Sequence, residues 1–105
     1  MEININCDLG EKSKHHSNKH DPDLLGIVNS ANVACGYHAG DDESMNQVVE
    51  ISIKNGVSIG AHPSFNDPEN FGRKRMNLSS SDIRKLIIDQ YGILQEIASK
   101  YGENV

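Results

Sequence analysis

The chain has 105 residues and a formal charge of −5, room for one small globular domain. Its one basic run, Arg73-Lys74-Arg75, is too short to follow a phosphate backbone, so nucleic acid is excluded as a partner. It reads as a protein without a leader or membrane span, and Cys7 and Cys35 lie outside any Cys-x-x-Cys pattern. A cytoplasmic protein with reduced, packed cysteines is therefore expected, rather than structural zinc or a redox pair.

Glu2 to Cys7 alternates polar and apolar residues, which predicts a first strand with Ile3, Ile5 and Cys7 on one side and Gly10 ending it. Lys12 to His20 is a charged loop without periodicity. Its His15, His16 and His20 invite a metal reading, and a solvated loop is the plainer one. Asp21-Pro22-Asp23 predicts a helix start with an acidic cap, followed by Leu24, Leu25 and Val28 covering the sheet. Ala31 to Cys35, small and apolar apart from Asn32, has the pattern of a buried parallel strand.

Asp41 or Asp42 is the expected cap of the next helix. Its inward stripe is Met45, Val48, Val49 and Ser52, with Ile53 beside it and Gly56 at its end. Val57 to Ala61 predicts a third strand, and Pro63 prevents its continuation as a central strand. Ser64 to Leu78 is a long excursion of the kind that often carries function. Ser79 with Asp82 fits a capping box for the last helix. Its stripe is Ile83, Leu86, Ile87, Gln90, Leu94, Ile97, Ala98 and Tyr101. Gln90 is the polar member, either a flank residue or a donor that supports a site. Val105 is placed to open another strand.

Strand and helix alternate, and polar, glycine-flanked residues follow the strands. This pattern defines an α/β protein whose site lies at the carboxyl ends of parallel strands. Three parallel strands do not close a barrel and leave exposed edges. Residues 1–105 are thus expected to be the N-terminal portion of a single larger catalytic domain, or a truncated form that needs partners. The periodicity does not choose between a closed barrel and an open sheet.

The polar groups delivered to that face are Asp8, His38 and His62. Asp8 can serve as a general base or as a ligand for a divalent metal, and Glu11 can share either task. His38 lies between Gly36 and Gly40 and beside Asp41, whose carboxylate can orient the ring. His62 precedes Pro63, which biases its backbone toward the extended region. Asp8, His38 and His62 can hold a metal, or polarise a carbonyl and activate water without one. Asn6 and Asn32 either join adjacent strands or bind a ligand carboxylate or amide. Arg73 and Arg75 are either surface charges or a clamp for a carboxylate or phosphate. The chain has neither a phosphate loop nor a nucleophile elbow, so any nucleotide must use another kind of site or a partner.

Four ordered segments carry a resemblance. They are Asn6-Cys7-Asp8-Leu9-Gly10-Glu11, Ser30-Ala31-Asn32-Val33-Ala34-Cys35-Gly36-Tyr37-His38-Ala39-Gly40-Asp41, Gly56-Val57-Ser58-Ile59-Gly60-Ala61-His62-Pro63 and Phe71-Gly72-Arg73-Lys74-Arg75-Met76. Together they closely resemble the LamB/YcsF family, the A subunits of 5-oxoprolinase. The resemblance implies an irregular TIM-like barrel of the glycoside hydrolase/deacetylase type. It implies ATP-dependent opening of 5-oxoproline to L-glutamate together with subunits B and C, with ATP as a cosubstrate of the complex. It places Asp8, His38 and His62 in the active centre, with Glu11, Asp41 and Arg73 near it.

Two departures stand out. Lys12 to His20 replaces a glycine-rich aromatic stretch of the family. A Lys-Pro-His-Gly motif expected just beyond Val105 is missing, as is the remainder of the barrel. Other readings are a metal-dependent deacetylase or carbohydrate-active enzyme, and a non-catalytic truncated interaction domain, for which a homodimer is one open assembly.

Overall fold

In the computed structural model, which describes residues 2–105, three strands run parallel in the order β1-β2-β3. They are β1 (Asn6–Leu9), β2 (Ser30–Ala34) and β3 (Ser58–His62). A single helical turn, α1 (Asp21–Leu24), and the longer α2 (Asp42–Asn55) make the two crossovers. After β3 the chain passes through a 3-10 turn at Pro68–Asn70 and ends in α3 (Ser80–Lys100). The expected α/β class with a parallel sheet is thereby met.

The register decides which residues share a face. Cys7, Ala31 and Ile59 align across the sheet, as do Leu9, Val33 and Ala61. Side chains alternate with a period of two, so these residues form one apolar face. Leu9, Ala31 and Val33 are fully buried there against Val48 and Val49 of α2 and Leu94 and Ala98 of α3. Burying each of the larger of these side chains contributes about 1.5–3 kcal/mol. The opposite face carries Asn6, Asp8, Asn32 and His62, and its β1 residues are exposed. A parallel sheet is ordinarily covered on both faces. Here α2 and α3 pack on the apolar one.

The helix signals act as the sequence indicates. The Asp41 side chain accepts the Ser44 N–H at 2.7 Å and caps α2. Gly56 ends the helix at φ 67°. Ser79 and Asp82 form the reciprocal capping box of α3. Met45, Val48, Val49 and Ser52 are all buried.

Five expectations change. The first strand is Asn6–Leu9 rather than Glu2–Cys7, because β2 begins at Ser30, the partner of Asn6. Residues 2–4 therefore have no ladder to join, the Ile5 carbonyl accepts the Asn29 and Ser30 N–H groups, and Ile3 and Ile5 are exposed. The cap of α1 is His20, with no side-chain bond, and the Asp21 carboxylate instead accepts the Gly10 N–H at 2.7 Å. Leu25 and Val28 face the core but Leu24 does not. In α3 only the part of the stripe from Gln90 to Ala98 is buried. Leu94, Ile97 and Ala98 join the core, whereas Ile83, Ile87 and Tyr101 are exposed. The N–H of Val105 donates to Gln95, and the described chain forms no strand after α3. Among the described residues no helix is long and apolar enough to cross a membrane.

Candidate active site

The polar face of the sheet and the loops at its carboxyl end converge on one point. Asp8 lies within β1, not beyond it, and His62 is the last residue of β3. Gly10 turns the chain after β1 and delivers Glu11, while the loop after β2 delivers His38. The Gly40 N–H donates to the Lys12 carbonyl at 2.8 Å and ties these two loops together. Asp21 anchors the first of them from beneath through Gly10.

Nε2 of His38 meets Glu11 Oε2 at 2.8 Å. Nδ1 of His62 lies 3.6 Å from Asp8 Oδ1 and 3.7 Å from Glu11 Oε2. The two imidazole centroids are 4.8 Å apart. His38 is 2 % exposed, whereas the Asp8 side chain is 52 % exposed and open to solvent. The buried Nδ1 atoms of His38 and His62 have no hydrogen-bond partner among the described residues. Two carboxylates thus face two imidazoles in an open pocket of about 260 Å³, which Ser64, Phe71 and Arg73 also line.

The remaining site residues divide. The amide nitrogen of Asn32 donates to Asn6 Oδ1 at 2.8 Å and to Asp8 Oδ1 at 3.2 Å. The two asparagines therefore join β1 to β2 and hold Asp8 in place. Asp41 does not orient His38. Its carboxylate is taken by the Ser44 N–H, which holds its pKa below the ordinary value, and Glu11 occupies the place beside the ring. Arg73 reaches the pocket, with its guanidinium 5.3 Å from the centroid of Phe71.

Phe71 and His16 are additions to the expected site. The Phe71 ring stands edge-on to His38, with centroids 5.0 Å apart, and stacks on His16 at 4.3 Å. Phe71 is the one non-glycine residue at positive φ among the described residues, at 57°. Such a conformation costs about 1–3 kcal/mol and persists where surrounding contacts enforce it. The Lys12 to His20 segment thus supplies His16 as a backing for Phe71, which lines the pocket. Its length and charge conceal this, and the Phe71-Gly72 pair was the available signal. His15 and His20 remain exposed.

Both cysteines are free thiols. Burial pushes the Cys35 thiol upward, offset in part by the His62 N–H, and burial is also the main cause at Cys7. Both stay protonated and serve packing. Asp21 is likewise raised, first by burial and further by Glu11, against the lowering effect of the Gly10 N–H.

A parallel βα repeat that gathers carboxylates and imidazoles at its strand ends defines an α/β domain whose side chains can move protons or hold a metal. Comparison with known proteins makes this specific: the chain belongs to the LamB/YcsF family, whose sequence profile matches residues 3–105. Proteins named as the A subunit of 5-oxoprolinase, from two strains of Staphylococcus epidermidis, are each 46% identical to it over 94 residues. Those matches cover 90% of this chain and 37% of each relative. The crystal structure of the lactam utilization protein from Thermus thermophilus superposes with a TM-score of 0.92 at 33% identity. It covers 100% of this chain and 42% of that one. The chain therefore spans well under half the length of these relatives.

Proposed function

We propose that the chain contributes the first part of the active centre of a hydrolase of the 5-oxoprolinase type, in the role of its A subunit, which opens 5-oxoproline to L-glutamate at the expense of ATP. The carrying observation is the meeting of Asp8, Glu11, His38 and His62 in one open pocket at the carboxyl ends of three parallel strands. The names of the relatives support the substrate class: one refers to 5-oxoproline and the other to lactams. In this reading residues 1–105 are the opening βα units of an irregular TIM-like barrel. Subunits B and C are the partners in the cytoplasm and bring ATP to the reaction.

The chemistry follows from the substrate. A five-membered lactam is a stable amide, so ring opening needs coupling to ATP. Phosphorylating the amide oxygen, with release of ADP, activates the ring carbon. Water then adds to that carbon, the carbon–nitrogen bond breaks with the ring nitrogen taking a proton, and a second water cleaves the resulting acyl phosphate to release the glutamate carboxylate and phosphate. Asp8, exposed and hydrogen-bonded by Asn32, is the base assigned to water. Glu11 orients His38, and His62 stabilises charge developing on the oxygen of the attacked carbon. Arg73 takes the substrate carboxylate.

The test is glutamate formation from 5-oxoproline and ATP, using a chain of the relatives' full length that carries these residues, together with subunits B and C. Asp8→Asn is expected to reduce turnover by at least about 100-fold while assembly is retained, in the range typical of a lost general base. Retained turnover refutes the assignment.

A second reading, a metal-dependent deacetylase or carbohydrate-active hydrolase, has one observation in its favour. Donor atoms of Glu11, His38 and His62 all lie within 4.8 Å of one another. Two imidazoles and a carboxylate are a donor set that suits zinc. Glu11 replaces Asp8 in the expected triad. These three residues would hold the ion, which would supply Lewis-acid activation of a carbonyl. Stoichiometric zinc that is lost in Glu11→Gln favours this reading, and absence of metal with full glutamate-forming activity removes it.

A further inference from the structure

We infer that Gln90, on α3, is a positioning residue for the site and acts through the main chain of Ser64. Gln90 is fully buried in a stripe that is otherwise apolar. An unpaired buried amide is costly, and a leucine or methionine would fit such a stripe without that cost. The Gln90 amide is fully engaged. Its Oε1 accepts the Ser64 N–H at 2.8 Å, and its Nε2 donates to the Ser64 carbonyl at 2.7 Å and to the Leu86 carbonyl at 3.0 Å.

This is how a neighbouring strand would bind Ser64, supplied instead by one side chain. β3 has ended at His62, and Pro63 has no N–H to extend the ladder. Gln90 therefore fixes the path of the chain immediately after the imidazole-bearing residue. Ser64 also lines the pocket. It packs against Gly72 so closely that a Cβ on Gly72 would overlap the Ser64 hydroxyl and come within 2.9 Å of the His38 Cβ. The amide thus seats two segments at once: the end of β3 with His62, and the loop that carries Phe71 and Arg73. A side chain that only filled the core would do neither. The inference rests on these residues forming one site and is independent of the reaction assigned to that site.

The test is Gln90→Met, which keeps length and apolar volume but removes the paired hydrogen bonds to Ser64. Leu94→Ala, at a fully buried position on the same helix, serves as the control for a stability loss without the clamp. Amide exchange at Ser64 and the ring resonances of His38, His62 and Phe71 are read by NMR on the whole chain, under conditions where each variant is folded. Gln90→Met is expected to speed Ser64 exchange about tenfold and to shift the His62 and Phe71 ring signals. Leu94→Ala is expected to leave those ring signals in place. Unmoved ring signals in Gln90→Met, or equal movement in Leu94→Ala, overturn the inference. If Gln90→Met does not fold, Gln90→Leu replaces it. That variant also removes both hydrogen bonds to Ser64 and buries no charge, so the same shifts and the same overturning result apply.

Discussion

Gly72→Ala tests directly whether the 64–78 loop is seated against the site. Gly72 adopts φ +71°, and a Cβ there would overlap the Ser64 hydroxyl and lie 2.9 Å from the His38 Cβ, where ordinary contact begins at 3.4 Å. Two costs follow. The left-handed backbone costs a non-glycine residue about 1–2 kcal/mol. Forcing an extra carbon into a filled space costs about 1–3 kcal/mol more. Gly56 separates the two, because it has nearly the same φ, +67°, with nothing within 4 Å of its added Cβ. Gly56→Ala should therefore lose about 1–2 kcal/mol and Gly72→Ala about 2–5 kcal/mol. Chemical denaturation of both variants and the parent chain gives the difference, provided the unfolding slope is unchanged. The His38 and Phe71 ring signals should move only in Gly72→Ala. Equal losses in the two variants, with the His38 ring unmoved, would show that the loop does not rest on His38.

Two further outcomes concern titrating carboxylates. Asp41→Ala should destabilise the chain by about 1 kcal/mol through loss of the α2 cap, while Asp41→Asn should stay close to the parent at neutral pH. Because the Ser44 N–H holds the folded Asp41 below its ordinary 3.8, its stabilisation is complete above that pH. It is lost as the pH falls through the lowered folded value, so denaturation midpoints of Asp41→Asn should show a flatter acid limb. Asp21 has the opposite sign. Burial raises its folded pKa above 3.8, so its contribution is most favourable below 3.8 and declines as the pH rises through the raised folded value. Asp21→Asn keeps an acceptor for the Gly10 N–H and removes the buried charge, so its melting temperature at neutral pH should equal or exceed that of the parent. A clear drop would mean that the charged hydrogen bond to Gly10 outweighs desolvation.

Much of this protein can be read along the chain, where neighbours in sequence set the outcome. Asp41, Gly56 and the Ser79–Asp82 pair mark helix ends because caps and turns are made within a few residues. The buried stripe of α2 follows its spacing for the same reason. The alternation of strands and helices, with polar residues at the strand ends, points to the parallel βα order and to Asp8, His38 and His62. Glu11 and Arg73 were legible as candidates from the residues as well, and the family motifs place them near the site.

Pairing and packing across the chain decided the rest. Register with Ser30 shortened the first strand and put Asp8 inside it, because a strand needs a partner as well as a pattern. The same register placed Asn32 against Asn6 and Asp8, which no local signal distinguishes from a ligand-binding amide. Asp41 was adjacent to His38 in sequence, yet the helix cap claimed it and Glu11, 27 positions from His38, took the ring. Phe71, His16 and Gln90 acquired their roles only when the long loop folded back over β3. Their partners lie many residues away, and for the buried Gln90 amide those contacts are the means of satisfying its polar atoms.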